Sequence, residues 1–477
     1  MELQPTQILV DLIYQKSNNP PSDRASIGHR LRCIVLYFFF VCSWTLVGCS
    51  THAKRLAEPR SLFYAGQMDE CRERLTKLSK SHRGDRDVAM LDLAMVDLVG
   101  GDPKLAEQRL REVRDRFEYL EQDSLTEKTL SVWTDDQSRS YAGEDYERML
   151  VYAFLSLSNL MHDGGDAEAY SLQLNEKRAQ LVQEAIEKSG PEAEEAYRPV
   201  SMGDYLRGVI RESNRRDYDD AAMAYERVVQ WNPEVIPFQW DLNRVRTSVH
   251  SKPGMGVIYV FAMVGRGPIK VEVAEQPTSD ALLIADRIIS AVGPYSLPPT
   301  LAPIKVPEIR LPSIDIDNVG VAVDNKRLGP TQCVTSVERL ALDTYAATRS
   351  TIIARAVARR VIKKASIVAA KKVTGTEGLT SFAMDAAGVA WEATESADTR
   401  CWGLLPREIQ VMRVEVPAGS REVTLHPLIR DLVSGPENKV QVQVNEGQNA
   451  YVVACFPDSH SIGQINVSRT ISVITSD

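Results

Sequence analysis

The sequence predicts an α+β protein, in which N-terminal helical hairpins are followed by an antiparallel β-rich domain with a long helical insertion. Two observations lead to this fold class. Apolar residues recur at helical spacing over 58–250, and short alternating apolar patterns take over after residue 251. The chain has 477 residues, 44% of them hydrophobic and 25% charged, which is enough for two to three domains with buried cores.

Changes in composition and periodicity divide the chain into four parts. These parts are a signal peptide at 1–48 (with 1–28 a non-structural extension), a lipidated linker at 49–57, a helical domain at 58–250, and a β-rich domain at 251–477 with a helical insertion at 336–397.

The formal net charge of −8 argues against a general nucleic-acid binder, because such proteins usually need a basic excess to neutralise phosphates.

The amino terminus predicts the compartment. An uncharged apolar run at 33–48 follows Arg30 and Arg32, as in a secretory signal. The run is shorter than the roughly 20 residues that span a bilayer as a helix. It ends in Leu46-Val47-Gly48-Cys49, which resembles the lipobox of bacterial lipoproteins. The resemblance implies cleavage before Cys49 and acylation of its thiol, and an uncleaved signal anchor is the alternative.

The residue after the lipobox cysteine bears on the choice of membrane. Ser50 occupies this position. By resemblance to the sorting of enterobacterial lipoproteins, a serine here implies an outer-membrane anchor that faces the periplasm, with an inner-membrane anchor as the less favoured alternative. Two or three acyl chains are sufficient for stable attachment.

Amphipathic helices joined by short turns fill the region 58–250. The helix predicted over 145–162 carries a continuous apolar stripe, and 105–120 carries a similar one. Turn signals stand between such helices at Gly100–Pro103 and Gly164–Asp166. Helix, short turn and helix form the repeating unit of helical solenoids.

The segment Asp217–Pro233 resembles the second helix of a tetratricopeptide repeat (TPR). In that repeat a small residue lets two helices approach, larger side chains fill the groove between them, and a proline ends the helix. The 35 residues between Cys71 and Ala106 are close to the TPR period of about 34, although Tyr170 is bulky for the equivalent position. The resemblance implies packing roles for Ala106, Leu110, Val113, Ala221, Tyr225, Val228 and Pro233.

Strand patterns begin with the unbroken apolar run 257–264. Alternation over 269–273, after a glycine-rich turn, predicts a β-hairpin with that run. Prolines between 294 and 312 predict an extended edge segment. Alternation near the end predicts a small antiparallel sandwich that shares its sheet with 257–273, with strands near 409–416, 423–425, 440–444 and 451–455.

The insertion contains a basic helix at 349–372, with no acidic residue between 344 and 376. Most basic residues face one side, while Val357, Val361 and Ile362 face the other. Basic amphipathic helices bind anionic membrane surfaces. The apolar side is rich in alanine and valine and lacks aromatic residues, which favours a packed helix with a solvated basic face.

The segment Ala397–Pro406 reads ADTRCWGLLP. Together with the lipobox, the hairpins and the long helix, it resembles a group of TPR-containing bacterial outer-membrane lipoproteins of unassigned activity. The resemblance implies an envelope protein. We expect Asp398 and Arg400 to cap the preceding helix and to pair locally, with a binding site as the alternative, and Trp402 to lie in the core.

The sequence does not indicate a catalytic, metal or cofactor site. Histidines are scattered, and the motifs HExxH, paired CxxC and GxSxG are absent. We therefore predict no catalytic residue, metal, cofactor, nucleic acid or small-molecule substrate. In an oxidising periplasm one disulfide is possible, for which Cys401–Cys455 is the favoured pair, while Cys71 should stay buried and reduced.

Three functions from different classes follow. The first is a lipid-anchored, non-catalytic scaffold of the cell envelope that binds protein partners, of unknown identity, in the groove of its TPR-like hairpins; a helical bundle without a ligand is the alternative for that region. The second is a structural protein that contacts peptidoglycan or anionic membrane through the basic helix 349–372. The third is an enzyme whose site the sequence does not reveal.

We expect Cys49→Ala to abolish incorporation of labelled palmitate, because the lipobox resemblance assigns acylation to this thiol. Metabolic labelling followed by immunoprecipitation measures it. Cys42→Ala, which changes a cysteine of the apolar run, is the matched control and should leave the label in place. Palmitate that persists in Cys49→Ala would end the lipoprotein interpretation.

Overall fold

The computed structural model confirms the predicted α+β class. The signal peptide, Cys49 and the insertion beyond Thr374 fall outside the described part of the chain. The model describes residues 52–80, 84–126, 140–293, 295–298, 301–313, 315–374 and 396–468.

The N-terminal half consists of successive helices, each packed on the next. Glycine turns join α3 to α4 and α5 to α6 at the predicted positions. A 3₁₀ helix at Pro191–Ala196 separates α6 from α7. The helices are α1 (His52–Tyr64), α2 (Met68–Ser79), α3 (Arg86–Val99), α4 (Pro103–Thr126), α5 (Asp145–His162), α6 (Ala167–Ser189), α7 (Ser201–Ser213), α8 (Tyr218–Trp231) and α9 (Ile236–Arg246).

The residues assigned to TPR packing lie between helices. The ring of Tyr225 covers Gly208 of α7, where an added methyl group would stand 2.9–3.0 Å from three ring atoms. A glycine at this point therefore sets the close approach of α7 and α8. Pro233 is exposed and follows the end of α8. The other assigned residues are all buried, namely Ala106, Leu110, Val113, Ala221, Tyr225 and Val228.

The strands of the second half form three sheets. The central sheet has the order β12-β11-β1-β7-β6, the outer sheet has the order β10-β8-β4-β5 with β9 on β8, and β2 pairs with β3. The strands are β1 (Met255–Arg266), β2 (Ile269–Glu275), β3 (Ile304–Arg310), β4 (Asn318–Val323), β5 (Lys326–Pro330), β6 (Gln332–Ser336), β7 (Pro406–Pro417), β8 (Gly419–Ile429), β9 (Leu432–Val433), β10 (Asn438–Val444), β11 (Asn449–Phe456) and β12 (Ile462–Val467).

Strand β1 is apolar from Val257 to Val264, where both of its faces are buried. One face, including Tyr259 and Phe261, belongs to the core shared with the helices. The opposite face, including Ile258 and Val260, packs against the outer sheet. The helices, the central sheet and the outer sheet are therefore three successive layers, and residues 52–477 belong to one compact unit.

The predicted hairpin between 257–264 and 269–273 is wrong. Both hydrogen-bonding edges of β1 are occupied, by β7 on one side and by β11 on the other. β2 pairs instead with β3, which comes from the proline-rich segment. Pro307 lies within β3, as is possible at the edge of a two-stranded sheet. The pairing of β1 with β11 is parallel, so the central sheet is mixed, whereas the outer sheet is antiparallel.

Two further helices complete the described fold, α10 (Ser279–Val292) and α11 (Val337–Thr374). The apolar side of α11, including Val357 and Val361, packs with α10 and β3 in a third core. Within the described residues, no helix combines the length and the apolar character that are needed to cross a membrane.

We expect Gly208→Val to lower the free energy of unfolding by about 2 kcal/mol, because the new side chain must displace the Tyr225 ring from a filled contact. Urea denaturation measures the change. Gly165→Val is the matched control, since a Cβ there comes no closer than 3.5 Å to its surroundings. Equal effects of the two variants would contradict the role of Gly208.

Candidate interaction surfaces

The central sheet covers one face of the helical layer. The ring of Tyr205 on α7 lies 6.4 Å and 6.5 Å from the rings of Tyr259 and Phe261 on β1, measured between centroids. At the other end, the side-chain amide of Asn466 on β12 donates to the carbonyl of Leu98 on α3 over 2.6 Å. These contacts fix the sheet against the helices that would otherwise line a groove.

The segment 397–405 fills the same face between the sheet and the first helices. Trp402 is fully buried, and its indole lies 5.5 Å from the ring of Phe154 on α5. Leu404 and Leu405 are also buried, and all three residues belong to the core of the helical layer. The expected core position of Trp402 is thus observed.

Helix side chains bond the main chain of this segment. The amide of Trp402 donates to Glu147 over 2.8 Å, and the amide of Leu404 donates to Asp92 over 3.2 Å. The carbonyls of the intervening residues accept from α1, where Arg60 bonds Cys401 over 2.6 Å and Tyr64 bonds Gly403 over 3.1 Å. Main-chain groups of this extended segment, from Cys401 to Leu404, are therefore bonded by side chains of α1, α3 and α5.

Asp398 and Arg400 pair with each other, as the sequence predicted. Two guanidinium nitrogens of Arg400 bond the Asp398 carboxylate over 2.7 Å and 2.9 Å. Arg400 also donates to the carbonyl of Gly84 over 3.0 Å and stacks over the ring of Tyr141. The pair therefore joins the segment 397–405 to the start of α3 and the approach to α5.

Glu147 is a buried acidic residue at this junction. It forms a capping box with Glu144 at the start of α5 and accepts hydrogen bonds from the hydroxyls of Tyr141 and Tyr146. Burial raises the pKa of Glu147 from its ordinary value of 4.5 to about 7, and the negative charge of Glu144 contributes to the rise. Glu144 itself pairs with buried Lys270 of β2 over 2.5 Å.

A second buried carboxylate joins the far end of the helices to the sheet. Glu212 on α7 is fully buried, and two nitrogens of Arg244 on α9 bond it over 2.8 Å and 2.9 Å. Arg413 on β7 lies 3.6 Å from the same carboxylate, and the hydroxyl of Tyr225 donates to it over 3.1 Å. Paired in this way, the charge is tolerated in the interior.

These buried carboxylates were not among the residues predicted from the sequence. Each of them stands within or beside an apolar stripe, as Asp92 does between Leu91 and Leu93. A charged residue at a predicted core position is therefore the sequence feature that could have indicated a buried carboxylate. The predicted groove for a partner runs along α3, α5 and α7. The chain's own sheet and the segment 397–405 cover it there.

Part of the basic side of α11 contacts the protein, while Arg355 and Lys364 are exposed. Arg349 pairs with Glu275 of β2, and Arg360 donates to the carbonyls of Ala302 and Pro303 over 3.2 Å and 3.0 Å. Arg359 is buried. The side chains beyond residue 365, including Lys371 and Lys372, lie outside the described part. The helix is thus packed over its described length, as the sequence favoured.

Cys401 and Cys455, the pair favoured for a disulfide, are both buried free thiols in this structure. Cys401 lies in the segment held by α1 and α5, whereas Cys455 lies in β11 within the central sheet. Cys71 is buried and reduced, and burial raises its pKa to about 12. Among the described residues, no cluster of three or more histidine, cysteine or acidic side chains is arranged to hold a metal ion.

The outer face of the α8–α9 hairpin exposes large apolar side chains. Met223 and Trp231 of α8 are 49% and 37% exposed, and Ile236 and Trp240 of α9 are 49% and 64% exposed. Trp231 ends α8 and Ile236 begins α9, so the two rows approach each other at the short connection. We call these four residues the α8–α9 patch. The tryptophans were not singled out from the sequence, since periodicity does not say which outer faces stay uncovered.

Comparison with protein-family models, curated proteins and solved structures gives no match. The resemblance to TPR-containing lipoproteins therefore rests on the motifs of the sequence.

We expect the stability of the wild-type protein to fall by about 2 to 3 kcal/mol more than that of Glu147→Gln between pH 5 and pH 8. The folded state holds a proton on Glu147 up to about pH 7, whereas the unfolded chain releases it near pH 4.5. This contribution is therefore fully present below pH 4.5 and lost as the pH rises through 7. Urea denaturation of both proteins at several pH values tests it, and parallel pH profiles would contradict it.

Proposed function

We propose that this protein is a lipid-anchored, non-catalytic scaffold of the cell envelope, and that it binds a partner protein through the α8–α9 patch. The lipobox around Cys49 supports the anchor, and the serine that follows it favours the outer membrane, with the protein facing the periplasm. The stack of helical hairpins supports an interaction role, since such arrays commonly bind other proteins.

The location of the partner surface follows from what the fold has already covered. The sheet-facing side of the helices is filled by the chain itself, so a partner must use another surface. The last helix of the array, α9, has Ile236 and Trp240 on its outer face, where terminal repeats usually carry polar residues. Tryptophan is enriched among the residues that dominate binding energy at protein interfaces. The exposure of Trp240 is the observation that carries the proposal.

We expect Trp240→Glu to reduce recovery of a stoichiometric partner at least about tenfold, because a charge would replace a central apolar contact. The measurement is crosslinking and co-purification of tagged protein, at native level, from whole envelopes, followed by mass spectrometry. Tyr119→Glu is the matched control, since Tyr119 is 56% exposed on a different helix, α4.

The outcomes separate the candidate functions. A partner that is retained by Tyr119→Glu and lost from Trp240→Glu supports the scaffold and its patch. A partner recovered equally with both variants places the contact elsewhere. A wild-type protein without any stoichiometric partner overturns the scaffold, and salt-sensitive retention on cell wall would then favour a structural role for the basic helix.

A further inference from the structure

The β8–β9 hairpin ends in a small apolar projection. Ile429 and Leu432 pair across a two-residue turn, and Val433 follows. Their exposed fractions are 38%, 73% and 46%. We call residues 429–433 the hairpin tip. Apolar side chains side by side at the end of a turn are unusual, because turns in soluble proteins are normally polar.

A second hairpin of the same sheet shows that the turn does not require these residues. In β4–β5, Val323 pairs with Lys326 across Asp324 and Asn325, whose φ angles of 49° and 64° match the 48° and 63° of the tip. The two turns stand at opposite ends of the outer sheet. At the β4–β5 turn the flanking Lys326 is exposed and polar. Both turns thus have polar central residues, but the exposed residue that follows the turn is Lys326 in one hairpin and Leu432 in the other.

The tip is held firmly by the sheet. The amide of Arg430 donates to the carboxylate of Asp317 over 2.7 Å, and the amide of Asp317 donates to the carbonyl of Leu428 over 2.8 Å. At the base, Ser434 donates to the carbonyl of Pro427 over 2.9 Å. Arg430 and Asp431 both adopt positive φ, which costs energy for residues other than glycine. The fold thus maintains a strained turn that presents apolar side chains.

The shape and charge of the tip fit a lipid surface. It extends two residues beyond Leu428, the last residue of β8 that pairs with β4, which corresponds to about 7 Å. That length is comparable with the roughly 5–10 Å to which interfacial apolar groups enter a bilayer. Arg430 and Asp431 carry opposite charges, so the turn has no net charge.

We propose that the hairpin tip inserts into the membrane surface and forms a second attachment in addition to the acyl chain. The inference rests on the lipid anchor of the proposed function, because the anchor places the chain at a membrane. A projection that is apolar on both sides suits acyl chains, which surround it, better than it suits one face of a partner protein. Insertion driven by apolar burial is insensitive to salt and to headgroup charge, unlike attraction through basic residues.

Vesicle flotation of residues 50–477 tests the proposal, since this protein lacks the signal and the acylated cysteine but retains the whole compact unit. The vesicles are pure phosphatidylcholine in one series and phosphatidylethanolamine with phosphatidylglycerol at about 3:1 in the other, each at low and high salt. We expect similar binding under all conditions. Leu432→Asp should weaken it about tenfold, the effect of withdrawing one leucine from the apolar phase.

Matched variants complete the design. Leu283→Asp changes a leucine on α10 that is 65% exposed and should bind as the wild type does. Leu432→Phe keeps an apolar tip and should also bind. The proposal is overturned if the wild type does not float, if Leu432→Asp floats like Leu283→Asp, or if binding occurs only on anionic vesicles and is lost at high salt. Failure of partner capture through Trp240 leaves this test unaffected, and palmitate labelling of Cys49 examines the anchor separately.

Discussion

The arrangement of the layers depends on three buried carboxylates, one on each of the sheet-facing helices α3, α5 and α7. Asp92 and Glu147 hold main-chain amides of the segment 397–405, and Glu212 holds arginines from α9 and β7. A buried carboxyl group without hydrogen-bond partners is costly whether it is ionised or, like Glu147 below about pH 7, protonated, so each of the three requires its partners to be present. The helices and the sheet are thereby coupled, and neither half satisfies its interior polar groups alone.

This coupling changes what the helical hairpins can do. In an open array of helical hairpins, the side lined by the first helix of each hairpin is free to bind a partner. In this protein the central sheet packs against that side. The apolar stripes of these helices are therefore buried within the protein itself. Surfaces that remain for contact with other molecules are at the periphery, on the α8–α9 patch and at the hairpin tip.

Several features of the site were accessible from the sequence, and others were not. The packing of Ala221, Tyr225 and Val228, the core position of Trp402 and the pairing of Asp398 with Arg400 follow from local spacing and chemistry. The partners of Glu147 do not, because Trp402 is 255 residues away along the chain. Likewise, the exposure of Trp240 depends on α9 being the last helix of the array, which its own pattern does not state.

Although it did not indicate α10 or the strands β4–β6, the sequence by itself determined where the helices of 58–250 and strands such as β1, β7 and β11 occur and which of their sides are apolar, because side-chain periodicity records these directly. It determined that β1 is buried on both faces and that β3 must lie at an edge, since Pro307 cannot donate to a second neighbour. Only the tertiary structure decided which surface covers which. β2 pairs with β3 because both hydrogen-bonding edges of β1 are occupied, by β7 and by β11. Periodicity specifies that a face is buried, but its partner is chosen by contacts distant in sequence.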